Sequence, residues 1–178
     1  CVKIKGHQHY AGQTHSDPGQ YWDWYKFYNL INNAPTITTL TATSGTIYDS
    51  GGSAGNYTDD ERNVILIQPT GATNITLNFS QFNVETNWDY LYIYDGATTS
   101  SNLIGRYTGT ASPGVITSSG GSLLLDFRSD CATTGIGWAM TYTTTVVNPQ
   151  PGDVIAPSTQ VFTTGNWQTQ SFTATVSD

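Results

Sequence analysis

Three histidines and an aspartate stand within eleven residues of one another: His7, His9, His15 and Asp17, in "GHQHYAGQTHSDPGQYWDW". The chain holds no other histidine. Imidazole with carboxylate is a zinc-binding pair, and a catalytic zinc takes three protein ligands and a water, which it turns into a nucleophile near neutral pH. His7 closes an alternating run, "CVKIKG", and Asp17 sits beside the turn pair Pro18-Gly19. A strand end and a returning turn bring these two side chains together, one zinc ligand short. His15 projects from the same turn, placed to donate a hydrogen bond to a developing oxyanion. His9 reads as a structural or surface histidine. The same residues also suit a polar loop whose histidines are simply exposed.

A second constellation is acidic. In "NWDYLYIYDG", Leu91 and Ile93 alternate with tyrosines and face a core, and Asp89 falls on their side at the strand's end. A carboxylate there is partly buried and needs counter-charge. Glu85 precedes it by four residues in a loop, and Asp130 follows another apolar run in "FRSDCATTG". Calcium takes six to eight oxygens from carboxylates, carbonyls and water. Three acids at strand–loop junctions, with few basic residues nearby, fit that demand; they also fit ordinary turn positions. Tyr90, Tyr92 and Tyr94 form an aromatic row that suits stacking on sugars or peptides, or packing against a neighbouring strand or domain.

The elements that must position these groups are mostly strands. The formal charge is −7 and only 11% of residues are charged, so phosphate-neutralising cations are scarce and nucleic acid is disfavoured as a partner. No apolar run is long enough to span a bilayer. Residues 1–33 hold the histidines and then "YWDWYKFYNLIN", where Trp24, Phe27, Tyr28 and Ile31 fall at helical spacing. Residues 34–42 read as a linker. Residues 43–145 alternate with period two between turns, most clearly at Ile75, Leu77 and Phe79, which predicts an antiparallel β-sandwich. Residues 146–158, with three prolines, read as a second linker. Residues 159–178 begin another alternating pattern, too short to be stable alone, and read as the start of a further β domain and as the segment most open to protease. The two cysteines, Cys1 and Cys131, lie far apart and are expected to be free thiols.

The motif at residues 6–24 resembles the closing segment of the zinc-dependent N-acetylmuramoyl-L-alanine amidases, a family that includes the peptidoglycan recognition proteins. The resemblance implies an α/β amidase remnant with His7 and Asp17 as two of three zinc ligands. His15 stands where the family usually carries a lysine that stabilises the tetrahedral intermediate. It covers only the last thirty or so residues of such a domain, so the fragment alone is expected to be inactive.

"SGTIYDSGG", "NYTDDERNVILIQP", the spacing Phe79–Phe82–Glu85, "WDYLYIYDG" and "FRSD…GW" together resemble the CUB domain over nearly all of 43–145. That resemblance implies a jelly-roll-like sandwich and a calcium site of Glu85, Asp89 and Asp130, supported by Tyr57. It departs from the animal pattern in lacking the paired cysteines and in a shortened Glu85–Asp89 loop. Joined, the two resemblances imply a secreted or surface-attached bacterial amidase that binds Zn2+ and Ca2+. Its sandwich would be an accessory module for peptidoglycan or another surface polymer or protein. The alternatives are a non-catalytic calcium-dependent adhesion module with a degenerate amidase end, and a spacer. Three sequons, at Asn56, Asn74 and Asn78, permit glycosylation in a eukaryotic secretory route, although Asn and Thr are common throughout.

Overall fold

Alternation in "ATNITLNFSQFN" sends Ile75, Leu77 and Phe79 to one side of a twelve-residue strand and Asn74, Thr76, Asn78 and Ser80 to the other. A register shift between Phe79 and Gln81 then inserts an extra residue. Such a bulge reverses the phase of a strand, and Phe82 and Val84 accordingly become core residues. The Phe79–Phe82 spacing of three is thus two inward positions separated by a bulge.

The computed structural model describes residues 35–147 together with Gly6, Gly12, Thr14, Trp22, Lys26 and Phe27. His7, His9, His15, Asp17 and residues 148–178 lie outside the described residues. Nine strands are described: β1 (Ile37–Leu40), β2 (Ser44–Tyr48), β3 (Arg62–Ile67), β4 (Ala72–Asn83), β5 (Tyr90–Asp95), β6 (Asn102–Tyr107), β7 (Val115–Thr117), β8 (Leu123–Arg128) and β9 (Gly137–Val146). They form a five-stranded sheet ordered β1-β3-β8-β5-β6 and a four-stranded sheet ordered β2-β9-β4-β7. Every pairing is antiparallel except β1 on β3.

Strand β1 corrects the reading of 34–42 as linker. "ITTL" has no alternation to expose it, yet Ile37–Leu40 pairs in parallel with Val64–Ile67 and extends the edge of the larger sheet. Its backbone hydrogen bonds, rather than buried side chains, hold it there, since three of its four residues are exposed.

The core lies between the sheets. Ile65, Ile67, Leu91, Ile93, Leu123, Leu125 and Phe127 meet Ile75, Leu77, Phe79, Trp138, Met140 and Tyr142 from the other sheet. Phe127 stands edge-on between the rings of Tyr57 (5.2 Å between centroids) and Trp138 (5.8 Å), the arrangement that aromatic quadrupoles favour.

The opposite, outer face of the five-stranded sheet is also buried at its centre. Val64, Tyr90, Tyr92, Tyr94 and Leu124 form a second apolar cluster. Tyr90, Tyr92 and Tyr94 are 6%, 5% and 9% exposed. The tyrosine row is therefore packed, the second of the two readings its alternation allowed. Cys131 is disulfide-bonded, which corrects the expectation of a free thiol.

Candidate calcium site

Strand β5 begins immediately after Asp89, and a hydrogen bond from the Asp89 N–H to the Glu85 carbonyl (3.1 Å) closes the short turn between the two acids. Asn87 takes a left-handed φ of 66° in that turn, a conformation asparagine tolerates better than most residues. The shortened loop thus keeps Glu85 one tight turn from Asp89. Asp130 comes from the loop after β8, which is the neighbour of β5 in the sheet. A hydrogen bond from its own N–H to Asp89 Oδ1 (2.8 Å) draws it in.

The result is a cluster in which carboxylate oxygens of Glu85, Asp89 and Asp130 lie within 4.8 Å of one another. Calcium–oxygen bonds run 2.3–2.6 Å, so two oxygens on one ion can stand no more than about 5 Å apart. The three side chains meet that limit. An all-oxygen set without imidazole or thiolate suits a hard cation such as calcium rather than zinc. Backbone carbonyls and water would complete the shell.

Tyr57 organises the cluster from beneath. Its hydroxyl donates to Asp89 Oδ2 and accepts from the Glu85 N–H (3.0 Å), so one group ties two of the acids. Tyr57 and Asp89 are each 1% exposed. Burial, seconded by the bond to Asp89, pushes the Tyr57 phenol well above its ordinary pKa, so it stays a neutral donor. Burial likewise raises the Asp89 carboxyl to about 6; the charges of Asp130 and Glu85 add to this, and the bonds from Tyr57 and the Asp130 N–H oppose it. The cluster is a concentration of negative charge in a partly dry place, the condition that a divalent cation relieves.

All four residues singled out from the sequence for this site, Glu85, Asp89, Asp130 and Tyr57, are thus brought together. The backbone contributions had no sequence signal: the Asp130 N–H on Asp89, the Thr133 carbonyl 3.4 Å from the Tyr57 hydroxyl, and Ala132 N–H on Asp130 Oδ1 (3.0 Å). His7, His15 and Asp17, expected at a zinc centre, lie outside the described residues.

Comparison with known proteins agrees with this architecture. The family model of the CUB domain matches residues 37–142. Human cubilin is 37% identical over 113 residues, covering 61% of this chain and 3% of cubilin. Human neuropilin-2 is 35% identical over 82 residues, covering 44% of this chain and 9% of that protein. The chain therefore spans a small part of the curated relatives it matches. Among solved structures, the MASP-1 CUB2 domain bound to Ca2+ superposes with a TM-score of 0.52 at 25% identity, over 60% of this chain and 96% of that one. The CUB1-EGF-CUB2 region of rat MASP-1 gives 0.53 at 20% identity, over 64% of this chain and 44% of that chain. The family match begins at residue 37 and so does not extend to the amidase-like segment. With the two-sheet topology, the acid cluster and a family match over more than half its length, this chain belongs to the CUB domain family.

Proposed function

We propose that residues 35–147 are a calcium-dependent, non-catalytic binding module that attaches its parent protein to a protein or polymer outside the cell. The observation that carries the reading is the convergence of Glu85, Asp89 and Asp130 within 4.8 Å, tied together by Tyr57. The solved MASP-1 CUB2 domain bound to Ca2+ supports calcium as the ion. A bound ion would draw the turn after Glu85 and the loop at Asp130 into one rigid rim on the sheet, and in this reading the protein or polymer ligand docks there. The zinc chemistry expected of His7, Asp17 and His15 is not carried into this reading, because nothing in the fold or the relatives bears on it.

The test is calcium binding by the whole chain. A ligand present at about 100 times its dissociation constant adds roughly 2.7 kcal/mol to the folded state. Thermal melts in calcium should exceed those in chelator by several degrees, and Asp89→Ala should erase the difference. Equal melting temperatures for the unsubstituted chain in the two conditions would rule the site out.

A further inference from the structure

Strand β3 and its neighbour β8 stay in register as far as Arg62 opposite Arg128. One residue further on, the ladder changes partners. The Ser129 N–H still donates to the Glu61 carbonyl (3.1 Å). The Glu61 N–H, however, donates to the Ser129 hydroxyl (2.7 Å), where a continued ladder would offer it the Ser129 carbonyl. That hydroxyl in turn donates to the Thr58 carbonyl (2.7 Å), and the Asp60 N–H donates to the Asp130 carbonyl (2.7 Å). The stretch Thr58–Glu61 is thus stitched to Ser129 and Asp130, with one serine oxygen serving two of the bonds. The Glu61 carboxylate closes the same loop from within. It accepts from the Ser50 N–H (3.3 Å), the Ser50 hydroxyl and the Thr58 N–H (3.3 Å). Glu61 is 8% exposed, so these bonds stand in for the water it has lost.

We propose that Ser129 and Glu61 form a clasp that positions the acid cluster before calcium arrives; the proposal rests on the calcium reading above. Neither side chain is one of the three clustered acids, and each acts through a neighbour in the chain. Tyr57 precedes Thr58, whose carbonyl is held by Ser129 and whose N–H is held by Glu61, and Asp130 follows Ser129. The clasp therefore joins the loop that carries the Tyr57 hydroxyl to the loop that carries Asp130. Those two loops meet again at Asp89, where the Tyr57 hydroxyl and the Asp130 N–H take one carboxylate oxygen each. Three carboxylates within 4.8 Å repel one another. In a looser frame Asp130 would swing away from Asp89 when no ion is present, and ordering it again would cost affinity. Holding it beforehand lowers that cost. The coupling is reciprocal: an ion at Asp130 tightens the loop between β2 and β3 as far as Ser50.

Calorimetric titration of the whole chain with calcium chloride tests this, at a temperature where every variant gives the circular dichroism of the folded chain. Ser129→Ala should weaken binding roughly 10–100-fold, the loss usual when a partner behind a metal ligand is removed. Glu61→Gln should shift it in the same direction, and Ser129→Thr, which keeps the hydroxyl, should bind close to the unsubstituted chain. Gly114→Ala, beside the edge strand β7 of the smaller sheet, strains the backbone without touching the clasp. Its affinity should be unchanged, which separates positioning from a general loss of stability. Hydrogen exchange in chelator reads the clasp without the ion. Ser129→Ala should speed exchange at the Asp60 and Asp130 amides and leave the interior of β8 protected. If the unsubstituted chain binds calcium and Ser129→Ala binds it equally well, the clasp is overturned and the calcium site stands. Unchanged exchange at Asp130 in Ser129→Ala would overturn it too. An unsubstituted chain that takes up no calcium would sink the site itself, and this proposal with it.

Discussion

Asp89 is the residue on which the site turns, because it is at once buried, hydrogen-bonded and flanked by two other carboxylates. Its pKa near 6 in the folded chain, against 3.8 ordinarily, has a definite sign. The folded state binds the proton more tightly, so this group favours folding below about pH 4, and that contribution is lost as pH rises to about 6. About two pH units between folded and unfolded values correspond to on the order of 3 kcal/mol. In chelator, stability should therefore fall as pH is raised from about 4 to 6.5. Asp89→Asn should flatten the profile, and calcium should restore the loss at the upper end. A chelated protein whose urea midpoint is level across that range would contradict the assignment. Tyr57→Phe removes the hydroxyl that serves both Asp89 and the Glu85 N–H. It should cost about 1–3 kcal/mol, as removing one partner of a buried hydrogen bond does, and should weaken calcium binding in a calorimetric titration.

At the scale of elements, the start of β9 shows how tightly the two loops near the site are fitted. Gly137 has a φ of 75°, and an added Cβ would overlap the Asp49 carboxylate. That carboxylate accepts from the Trp138 N–H (2.5 Å) and the Gly51 N–H (2.8 Å), and so locks the end of β2 to the start of β9. Gly114 has the same φ of 75° and open space around it. Gly114→Ala should therefore cost only the left-handed backbone strain, about 1–2 kcal/mol. Gly137→Ala should cost that and the displacement of Asp49, at least about 3 kcal/mol together. Denaturant unfolding of the two variants side by side reads the difference, and equal losses would show that Asp49 moves aside freely.

For the molecule as a whole, the notable property is that the centre of the five-stranded sheet is buried on both faces, while the described residues form two sheets. Cys131 is disulfide-bonded and the chain's one other cysteine is Cys1; a disulfide that closes a loop on the order of 100 residues is worth about 5 kcal/mol by the chain-entropy argument. Mild reduction of the whole chain should lower its urea midpoint by a matching amount, with the calcium increment preserved because Glu85, Asp89 and Asp130 are held by backbone bonds of the sandwich itself. Reduction that left the midpoint unchanged would mean that the disulfide closes no long loop in the unfolded chain.

Period-two alternation was enough to identify the strands that face the core, because Ile75, Leu77, Leu91 and Ile93 repeat at the spacing of a pleated strand whatever they pack against. The spacing of Phe79, Phe82 and Glu85, and the acids at Asp89 and Asp130, were legible by type and by resemblance. What covers the other side of β5 was not. Tyr90, Tyr92 and Tyr94 alternate as faithfully as the core residues, and a pattern of two faces does not say which faces meet water. Strand β1 escaped notice for the opposite reason: it is held by parallel backbone pairing and buries little, so no side-chain pattern marks it. The pairing of Cys131 was equally hidden, since bringing a cysteine to its partner depends on a long loop closing in space. Local periodicity and residue chemistry are properties of neighbours in the chain. Cover, parallel pairing and crosslinks join residues far apart in it, and only the tertiary structure decides those.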